Sequence, residues 1–479
     1  MPRNFFPGPP SLAAFALFAA IAFGAPAQSG KPPSRARTKA PAYYWYYYTV
    51  DTTQIKGISE VAFDAAGNLK IGYRRGYEIW YGELKNHKFA VQKADTGTGG
   101  DARIAFALDN QGNPRVLYQD AVYQTLYLAS HDGQKWTHKT IDQLKNSSID
   151  WYHIDMKADN AGGLHTIYTK HRGAGENSLY YAYQDKDVNI KDTGYVDPGL
   201  NGKWNSIDLD DQGKPVIAFF RHSGEVTQVN YPDGAARKTE IIGANEAVPP
   251  QGFYVSLQHD TGKAFYIAHR HKPGKQLRLL HGVPGGAWTG EVVDSNITLT
   301  LFNSPSVLAL GKDRAPYIAY ADTKSSNDQT ADSSRLLLAR KQGGAWAREV
   351  VDSGGVVGEY AHLAMSPDGL PAISYFDRGR GRLRAAVARA TAPTDTNNNG
   401  IPDYQEGGTT GLRGKHVPPA GPGKRPGKGS GKAFDSRGKA WETAVSAPPT
   451  HGVWFRPDRS PAAQARETRE NSSGRPVAE

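Results

Sequence analysis

The alternation of apolar and polar positions predicts short β-strands from residue 43 to residue 390. Runs such as Pro215–Phe220 and Pro316–Tyr320 alternate with a period of two, which is the pattern of a strand with one face against a core. A third type of run follows, as in Leu336–Ala339, and a fourth type opens with Trp, as in Trp288–Asp294. The body is therefore predicted to be all-β, with four strands in each repeating unit.

A tight turn that most often reads Asp-x-x-Gly marks each unit and recurs about every 45 to 56 residues. Gly tolerates the positive φ that such a hairpin turn needs. A period of this length with four strands per unit is typical of β-propeller blades. The seven turns are Asp64–Gly67, Asp109–Gly112, Asp159–Gly162, Asp210–Gly213, Asp260–Gly262, Gly311–Asp313 and Ser366–Gly369.

The two ends of this body carry complementary remnants of one unit. Trp45–Asp51 has the pattern of a fourth strand but precedes the first turn, whereas the last repeat has its third run, Leu383–Ala388, and no fourth. The N-terminal strand should complete the last blade, which removes an exposed sheet edge and closes a seven-bladed β-propeller over residues 43–390. Six or eight blades, an open array and two β-sandwiches are the alternatives.

The N-terminus has the three parts of a secretory signal peptide. Arg3 is followed by the apolar run Leu12–Phe23 and then by Ala25-Pro26-Ala27, so residues 1–27 are predicted to be cleaved and residues 28–42 to form a linker. The apolar run is short for a membrane span. The mature protein is expected to be secreted, extracellular or periplasmic, with no membrane span; the alternative is a buried N-terminal helix.

The charge is concentrated at the C-terminus. The chain has a net charge of +10 and no Cys, and residues 407–479 hold 13 of its 57 Lys and Arg but only 6 of its 47 Asp and Glu. The body is therefore close to neutral, and nucleic-acid binding is not indicated. Residues 408–479 are basic and rich in Gly and Pro and should be disordered. Anchoring to an anionic cell-surface polymer is the alternative for this tail.

A short Asx-rich segment, residues 391–407, has the spacing of a calcium loop. Ca²⁺ takes six to eight oxygen ligands, and alternate loop positions place oxygens on the inside of a tight turn. The stretch resembles thrombospondin type 3 and dockerin-like calcium loops; a plain Asx turn is the alternative. The expected ligands are Asp395, Asn397, Asn399, the Ile401 carbonyl, Asp403 and Glu406.

Aromatic and cationic residues recur where first strands begin and second strands end. Both places belong to one face of a propeller, so these residues should gather at the mouth of the central channel. Aromatic faces stack on sugar rings, and Arg or Lys pair with carboxylates. The residues expected to bind ligand there are Arg103, Trp204, Arg221, His222, His271 and Tyr360.

Two family resemblances follow from these residues. The body resembles secreted bacterial propellers of the sialidase-like (BNR-type) superfamily, although its Asp-x-x-Gly-x-Pro turn departs from their Ser-x-Asp-x-Gly-x-Thr-Trp box. The run Asp159–His171 is similar to propeller polysaccharide lyases of the ulvan lyase type. That resemblance implies that Tyr254 accepts and returns a proton. It also implies that His153, His171 and Arg270 neutralise a uronate carboxylate.

The sequence leaves three functions open. The first is a secreted, calcium-stabilised, monomeric binding module for glycans or cell-surface partners. The second is a polysaccharide lyase, or a glycoside hydrolase, that acts on an acidic polysaccharide containing uronate. The third is a purely structural envelope protein, because a fold class alone does not select a function.

Overall fold

The computed structural model describes residues 43–53, 55–96, 103–120, 125–143, 154–171, 177–197, 201–221, 226–242, 252–271, 275–295, 297, 305–324, 333–399 and 401–406. The predicted signal peptide, linker and basic tail lie outside these residues and stay predictions. Within the described residues, none of the helices has the length and apolar character needed to cross a membrane.

The described chain forms 28 strands, numbered β1 to β28 in chain order, in seven four-stranded antiparallel sheets. The inner strands are β2 (Ile55–Phe63), β6 (Ile104–Leu108), β10 (Asp155–Ala158), β14 (Asn201–Leu209), β18 (Gly252–His259), β22 (Ser306–Leu310) and β26 (Val357–Met365). The second strands are β3 (Leu69–Arg75), β7 (Pro114–Asp120), β11 (Leu164–His171), β15 (Pro215–Arg221), β19 (Phe265–His271), β23 (Pro316–Lys324) and β27 (Pro371–Asp377).

The third and outer strands complete each sheet. The third strands are β4 (Glu78–Lys85), β8 (Thr125–His131), β12 (Asn177–Gln184), β16 (Val226–Asp233), β20 (Gln276–Gly282), β24 (Ser333–Gln342) and β28 (Arg382–Arg389). The outer strands are β1 (Tyr44–Asp51), β5 (Lys88–Asp95), β9 (Trp136–Gln143), β13 (Ile190–Asp197), β17 (Ala236–Ile241), β21 (Trp288–Ser295) and β25 (Ala345–Asp352). Two 3₁₀ turns, Arg378–Arg380 and Asp403–Gln405, are also present.

The ring is closed as the sequence predicts. Strand β1 pairs antiparallel with β28 from Tyr44 opposite Arg389 to Asp51 opposite Leu383. It is thus the outer strand of the sheet β1-β28-β27-β26, which we number blade 7, and blade 1 comprises β2 to β5. The seven-bladed β-propeller is confirmed.

The turns between inner and second strands are built by their own Asp side chains. Asp64 Oδ1 accepts hydrogen bonds from the backbone N–H groups of Ala66 (3.1 Å) and Asn68 (2.8 Å), and Gly67 has φ of 82°. Asp109, Asp159 and Asp210 make the same pairs of bonds in their turns. The recurrent Asp is therefore a turn-building residue.

Five junctions between neighbouring blades hold a Tyr–Asp pair with a buried Tyr. A Tyr of the second strand donates its hydroxyl hydrogen to the Asp that is the last or next-to-last residue of the outer strand of the preceding blade. Burial, reinforced by the Asp, raises the pKa of each Tyr. The pairs are Tyr73–Asp51, Tyr118–Asp95, Tyr168–Asp142, Tyr320–Asp294 and Tyr375–Asp352, with oxygen–oxygen distances of 2.6 to 2.9 Å.

Two junctions replace this Tyr. Phe219 occupies the position in blade 4, within an apolar cluster with Ile167 and Ile217. His269 occupies it in blade 5, fully buried, with Nδ1 3.5 Å from Thr227 Oγ1 and with no hydrogen-bond partner for Nε2 among the described residues. Burial lowers the pKa of His269 to about 3, so this His is neutral.

Candidate functional site: the central channel

The seven inner strands surround an open channel of about 840 Å³. It runs from the starts of these strands, at Tyr360 and Arg103, to the turns at their far ends, at Asp210. Its described lining includes charged groups on the inner strands, among them Glu60, Asp155 and Lys157. This polar channel is where the fold brings all seven repeats together.

The mouth of the channel is shaped by irregular backbone. The first two strands of blades 1, 4, 5 and 7 slip in register near the start of the inner strand. At this bulge Trp204, Tyr254 and Tyr360 adopt left-handed φ values of 47°, 56° and 52°. Such values are uncommon for bulky residues, and strained backbone of this kind concentrates at functional sites.

Tyr360 is held between a glycine and a cation. A Cβ on Gly57, whose φ is 86°, would lie 2.6 Å from Tyr360 Cδ2, so only glycine fits there. The guanidinium of Arg103 lies over the Tyr360 ring, 5.4 Å from its centroid. Both side chains are half-buried and line the channel. Both therefore lie at the mouth of the channel, and the prediction that they bind ligand there stays a prediction.

The other predicted aromatic residues are more buried. Trp204 and Tyr254 are 8% and 4% exposed and form a cluster with Phe220, with ring centroids 5.6 Å apart between Trp204 and Tyr254. Only Tyr254 of this cluster lines the channel. Arg270 is 2% exposed, and its Nη2 donates to the Ala321 carbonyl of the next blade at 2.9 Å. Burial lowers the pKa of Arg270 to about 10, against the opposing effect of Tyr254.

Of the remaining predicted residues, two are described and lie away from the channel, and three fall wholly or in part outside the described residues. Among the described second-strand residues, Arg221 is half-buried and His271 is buried, and neither lines the channel. His171 ends β11, but its side chain lies outside the described residues, as do His153 and His222 entirely. The catalytic roles of His153, His171, Tyr254 and Arg270 stay predictions.

Two cations at or near the ends of second strands are bound to carboxylates. Lys170 Nζ lies 3.0 Å from Asp142, an acceptor of the Tyr–Asp junctions. Arg378 forms a two-pronged pair with Glu359, with contacts of 2.9 and 3.0 Å. These groups stabilise the ring and its rim, since each cation is matched by a nearby acid.

One position on the inner strands links consecutive blades around the channel. Inner strands are sheet edges, so their N–H groups need acceptors from outside their own sheet. In five blades a side chain at this position accepts a hydrogen bond from a backbone N–H group of the next blade's inner strand. The contacts are Glu60 from Phe106 (2.7 Å), Asp155 from Ile207 (2.9 Å), Ser206 from Leu257 (3.2 Å), Ser256 from Leu308 (3.0 Å) and His362 from Val61 (3.2 Å).

The ionisable members of this ring are perturbed. Burial raises the pKa of Asp155 to about 6, and burial and the nearby Asp155 raise the pKa of Glu60 well above its usual range, with Arg103 opposing. Burial lowers the pKa of His362 to about 4, and its Nε2 lies 4.0 Å from Glu60 Oε2. Deeper in the channel Lys157 pairs with Asp208 at 2.8 Å. Perturbed groups in a cleft mark a candidate site.

The sequence interpretation missed Glu60, Asp155 and His362. It compared the strand starts and ends, whereas these residues lie in mid-strand. Their signal was nevertheless present, because Glu and Asp interrupt otherwise apolar or small positions of the inner strands.

The C-terminal segment forms a compact loop against the outer strand of blade 7. Glu406 accepts hydrogen bonds from the side-chain amides of Asn397 (2.9 Å) and Asn399 (2.5 Å), and Asp395 accepts from the Asn399 N–H (3.2 Å). Asp403 instead accepts from Thr394 and Thr396 (2.8 and 2.6 Å). Ile401 is exposed, and its N–H donates to Asn399 Oδ1 (2.7 Å).

Four of the predicted calcium ligands, Asp395, Asn397, Asn399 and Glu406, thus share one turn. Among the residues that the structure describes, no group of three or more His, Cys, Asp or Glu is placed to hold a metal ion. The oxygen-rich turn would therefore depend on its Asn oxygens as well as its carboxylates.

The loop docks through Tyr404. Its hydroxyl accepts the N–H of Tyr47, an edge group of β1, at 2.9 Å. Its ring packs on Tyr46 and Tyr48, with centroids at 4.7 and 5.4 Å. The loop therefore covers part of the free edge of the strand that closes the ring.

No protein-family model and no curated protein matches the chain. Solved structures with a similar course include a six-bladed fucose-binding lectin of Aleuria aurantia, with 12% identity, a TM-score of 0.43, and coverage of 63% of this chain and 98% of the lectin. A Dyadobacter fermentans protein of unknown function matches with 11% identity, a TM-score of 0.44, and coverage of 73% and 99%. The Hadza microbial sialidase Hz136 matches with 12% identity, a TM-score of 0.39, and coverage of 71% and 68%. Likeness at this level says nothing about ligand or activity.

Proposed function

We propose that this protein is an extracellular, monomeric binding module whose central channel holds a glycan. The main observation behind this proposal is the half-buried Arg103–Tyr360 pair at the mouth of a polar channel of about 840 Å³. An aromatic face suits the C–H face of a sugar ring, and a neighbouring guanidinium and carboxyls suit its hydroxyl groups. The left-handed backbone at Tyr360 fixes that ring before any ligand arrives.

A glycan array followed by calorimetry tests this function. Tyr360→Ala and Arg103→Ala should each weaken binding of the best glycan by about tenfold or more. Arg389→Ala is the matched control, because it removes a guanidinium that also lies 5.4 Å from a Tyr ring, that of Tyr46, but outside the channel. Equal losses in Arg103→Ala and Arg389→Ala, or no glycan bound at all, would overturn the proposal.

The same preparation decides between binding and lyase chemistry. Tyr254 is 4% exposed and packs on Trp204, whereas a proton-transferring Tyr must come within hydrogen-bond reach of substrate. We therefore expect no unsaturated product when uronate polymers are incubated with the protein and absorbance of the new double bond is followed. Turnover that disappears in Tyr254→Phe would replace the binding module by the lyase.

We further propose that the loop 391–406 binds Ca²⁺ and stabilises the ring. The support is the shared turn of Asp395, Asn397, Asn399 and Glu406, together with the docking of Tyr404 on β1. A bound cation would hold this turn closed and so hold Tyr404 in place. Its contribution would be structural, since the loop lies beside the outer strand rather than in the channel.

Melting curves with Ca²⁺, Mg²⁺ and a chelator test this site. Calcium should raise the melting temperature by several degrees, and Glu406→Gln should remove most of that rise. Tyr404→Ala should separate calcium binding from stability: calorimetry should still detect bound calcium, but calcium should hardly change the melting temperature. A melting temperature that is indifferent to calcium in the unaltered protein would mean that the segment is only a turn.

A further inference from the structure

The residue type at the inner-strand position that links the blades varies more than the fold requires. In order of blades it holds Glu60, Ala105, Asp155, Ser206, Ser256, Val307 and His362. Ser206 and Ser256 accept the N–H of the next blade with a neutral hydroxyl, at 3.2 and 3.0 Å. Glu60 and Asp155 make the same contact with half-buried carboxyl groups, although withdrawing a carboxylate from water is costly. Their charge therefore needs an explanation other than blade linkage.

The ionisable residues lie on consecutive blades. His362 belongs to blade 7, Glu60 to blade 1, Arg103 to the start of blade 2, and Asp155 to blade 3. Blades 4 to 6 place Ser206, Ser256 and Val307 at the same position. At this level blades 7, 1 and 3 are ionisable, blade 2 holds Ala105 and contributes Arg103 two residues earlier, and blades 4 to 6 are neutral. The Arg103–Tyr360 pair lies on the ionisable side of the channel.

The charges on this side of the channel do not balance. Two carboxyl groups face one guanidinium, because His362 is neutral at neutral pH and Lys157 is paired with Asp208. His362 Nδ1 accepts the Val61 N–H, so in its neutral form the ring proton sits on Nε2. Burial raises the pKa of both carboxyl groups, and at Glu60 the nearby Asp155 adds to that rise, although each carboxyl accepts backbone hydrogen bonds.

We propose that the channel ligand carries a protonated amine, as an amino sugar with a free amino group does, and presents it to Glu60 and Asp155. This inference rests on the proposed glycan binding and names its class of ligand. An ammonium group supplies three donors and the positive charge that the ionisable side lacks. A carboxylate at the same place would be repelled, and an N-acetylated amine would bring no charge.

Calorimetry at neutral pH with three probes tests the inference. The probes are a β-1,4-linked glucosamine trimer, its fully N-acetylated counterpart and a uronate trimer. The glucosamine trimer should bind about tenfold or more tightly than the acetylated trimer, and the uronate trimer should not bind. Glu60→Gln should remove that preference, while its amide oxygen can still accept the Phe106 N–H.

Ser256→Ala is the control, because it deletes a blade-linking hydrogen bond on the neutral side and should leave the preference intact. Binding of the acetylated trimer at equal strength, lost in Tyr360→Ala, would overturn the amine and keep the glycan site. Selective binding of the uronate trimer would likewise overturn the amine. If none of the probes bound and the glycan array were also negative, both the inference and the proposed function would fail.

Discussion

The junctions between blades and the wall of the channel are built on opposite rules. Five junctions repeat one Tyr–Asp pair with nearly constant geometry, 2.6 to 2.9 Å between oxygens. The channel position that also links blades holds six residue types in seven blades. A residue pair that repeats at the junctions serves the packing that every blade needs. A position whose residue type varies between blades is not fixed by packing and is available for binding a ligand.

The largest effect should come from the mouth, where backbone and side chain are both constrained. Gly57→Ala should lower the free energy of unfolding by about 3 kcal/mol, because it combines a left-handed φ with a Cβ 2.6 Å from Tyr360. Gly67→Ala is the matched control, since φ there is 82° with no atom within 4 Å of the new Cβ, and it should cost about 1 kcal/mol. Denaturant unfolding measures both; equal losses would mean that the contact with Tyr360 is unimportant.

The repeated junction should be next in size. Tyr375→Phe removes the hydroxyl that donates to Asp352 at 2.6 Å and should cost about 1–3 kcal/mol, because it deletes a hydrogen bond to a carboxylate, which keeps Arg384 as a donor at 2.6 Å. Urea titration measures this loss. Tyr77 is 57% exposed, so the control variant Tyr77→Phe should leave the free energy of unfolding unchanged in the same titration. If the two variants had equal free energies of unfolding, the Tyr–Asp hydrogen bonds would not stabilise the junctions between blades.

The neutral side of the channel should respond more weakly. Ser256→Ala leaves the Leu308 N–H without its acceptor at 3.0 Å, at a cost of about 0.5–1.5 kcal/mol. Ala105 and Val307 show that the ring closes without an acceptor at this position in two blades. A loss in thermal unfolding as large as that of Tyr375→Phe would contradict the contrast between junction and channel.

The smallest effect, and the one with a pH signature, belongs to Glu60→Gln. The folded-state pKa of Glu60 is raised, so its ionised form destabilises the fold at pH values above that pKa and the cost vanishes when the carboxyl is protonated. The variant should therefore melt slightly above the unaltered protein at pH 8, and this difference should shrink toward zero as the pH falls to 5. A difference that grew on acidification would show that the charge of Glu60 is compensated in the folded protein.

The sequence was sufficient for the parts of the fold that repeat. The Asp-x-x-Gly turns, the fourth-strand pattern and the spare strand at Trp45 are local signals, and each one corresponds to an observed element. The Asp at the end of the fourth strand was visible as well. Its Tyr partner was not recognised, because the pair forms between neighbouring blades and not within one repeat.

The candidate site was harder to predict from the sequence, because the sequence does not show in which direction a side chain points. The position of a cation near the end of a second strand does not reveal its partner, and the side chains of Lys170 and Arg378 pair with Asp142 and Glu359. Periodicity gives the end of a strand but not the rotation imposed by a bulge, and the left-handed backbone at Trp204 and Tyr254 turns those rings into a buried cluster. Among the predicted ligand-binding residues that the structure describes, Arg103 and Tyr360 lie together at the channel, and their binding role stays a prediction.

The pairing of β1 with β28 also bears on how the molecule is made. Tyr44 is synthesised hundreds of residues before Arg389, its partner, so the earliest strand must wait for the latest one. Loop closure over such a separation is slow, and an unfinished ring keeps two unsatisfied sheet edges. The final docking of Tyr404 on this strand then covers the seam from outside. Assembly therefore ends where the chain began, and a nascent chain stays incomplete until its last repeat has emerged.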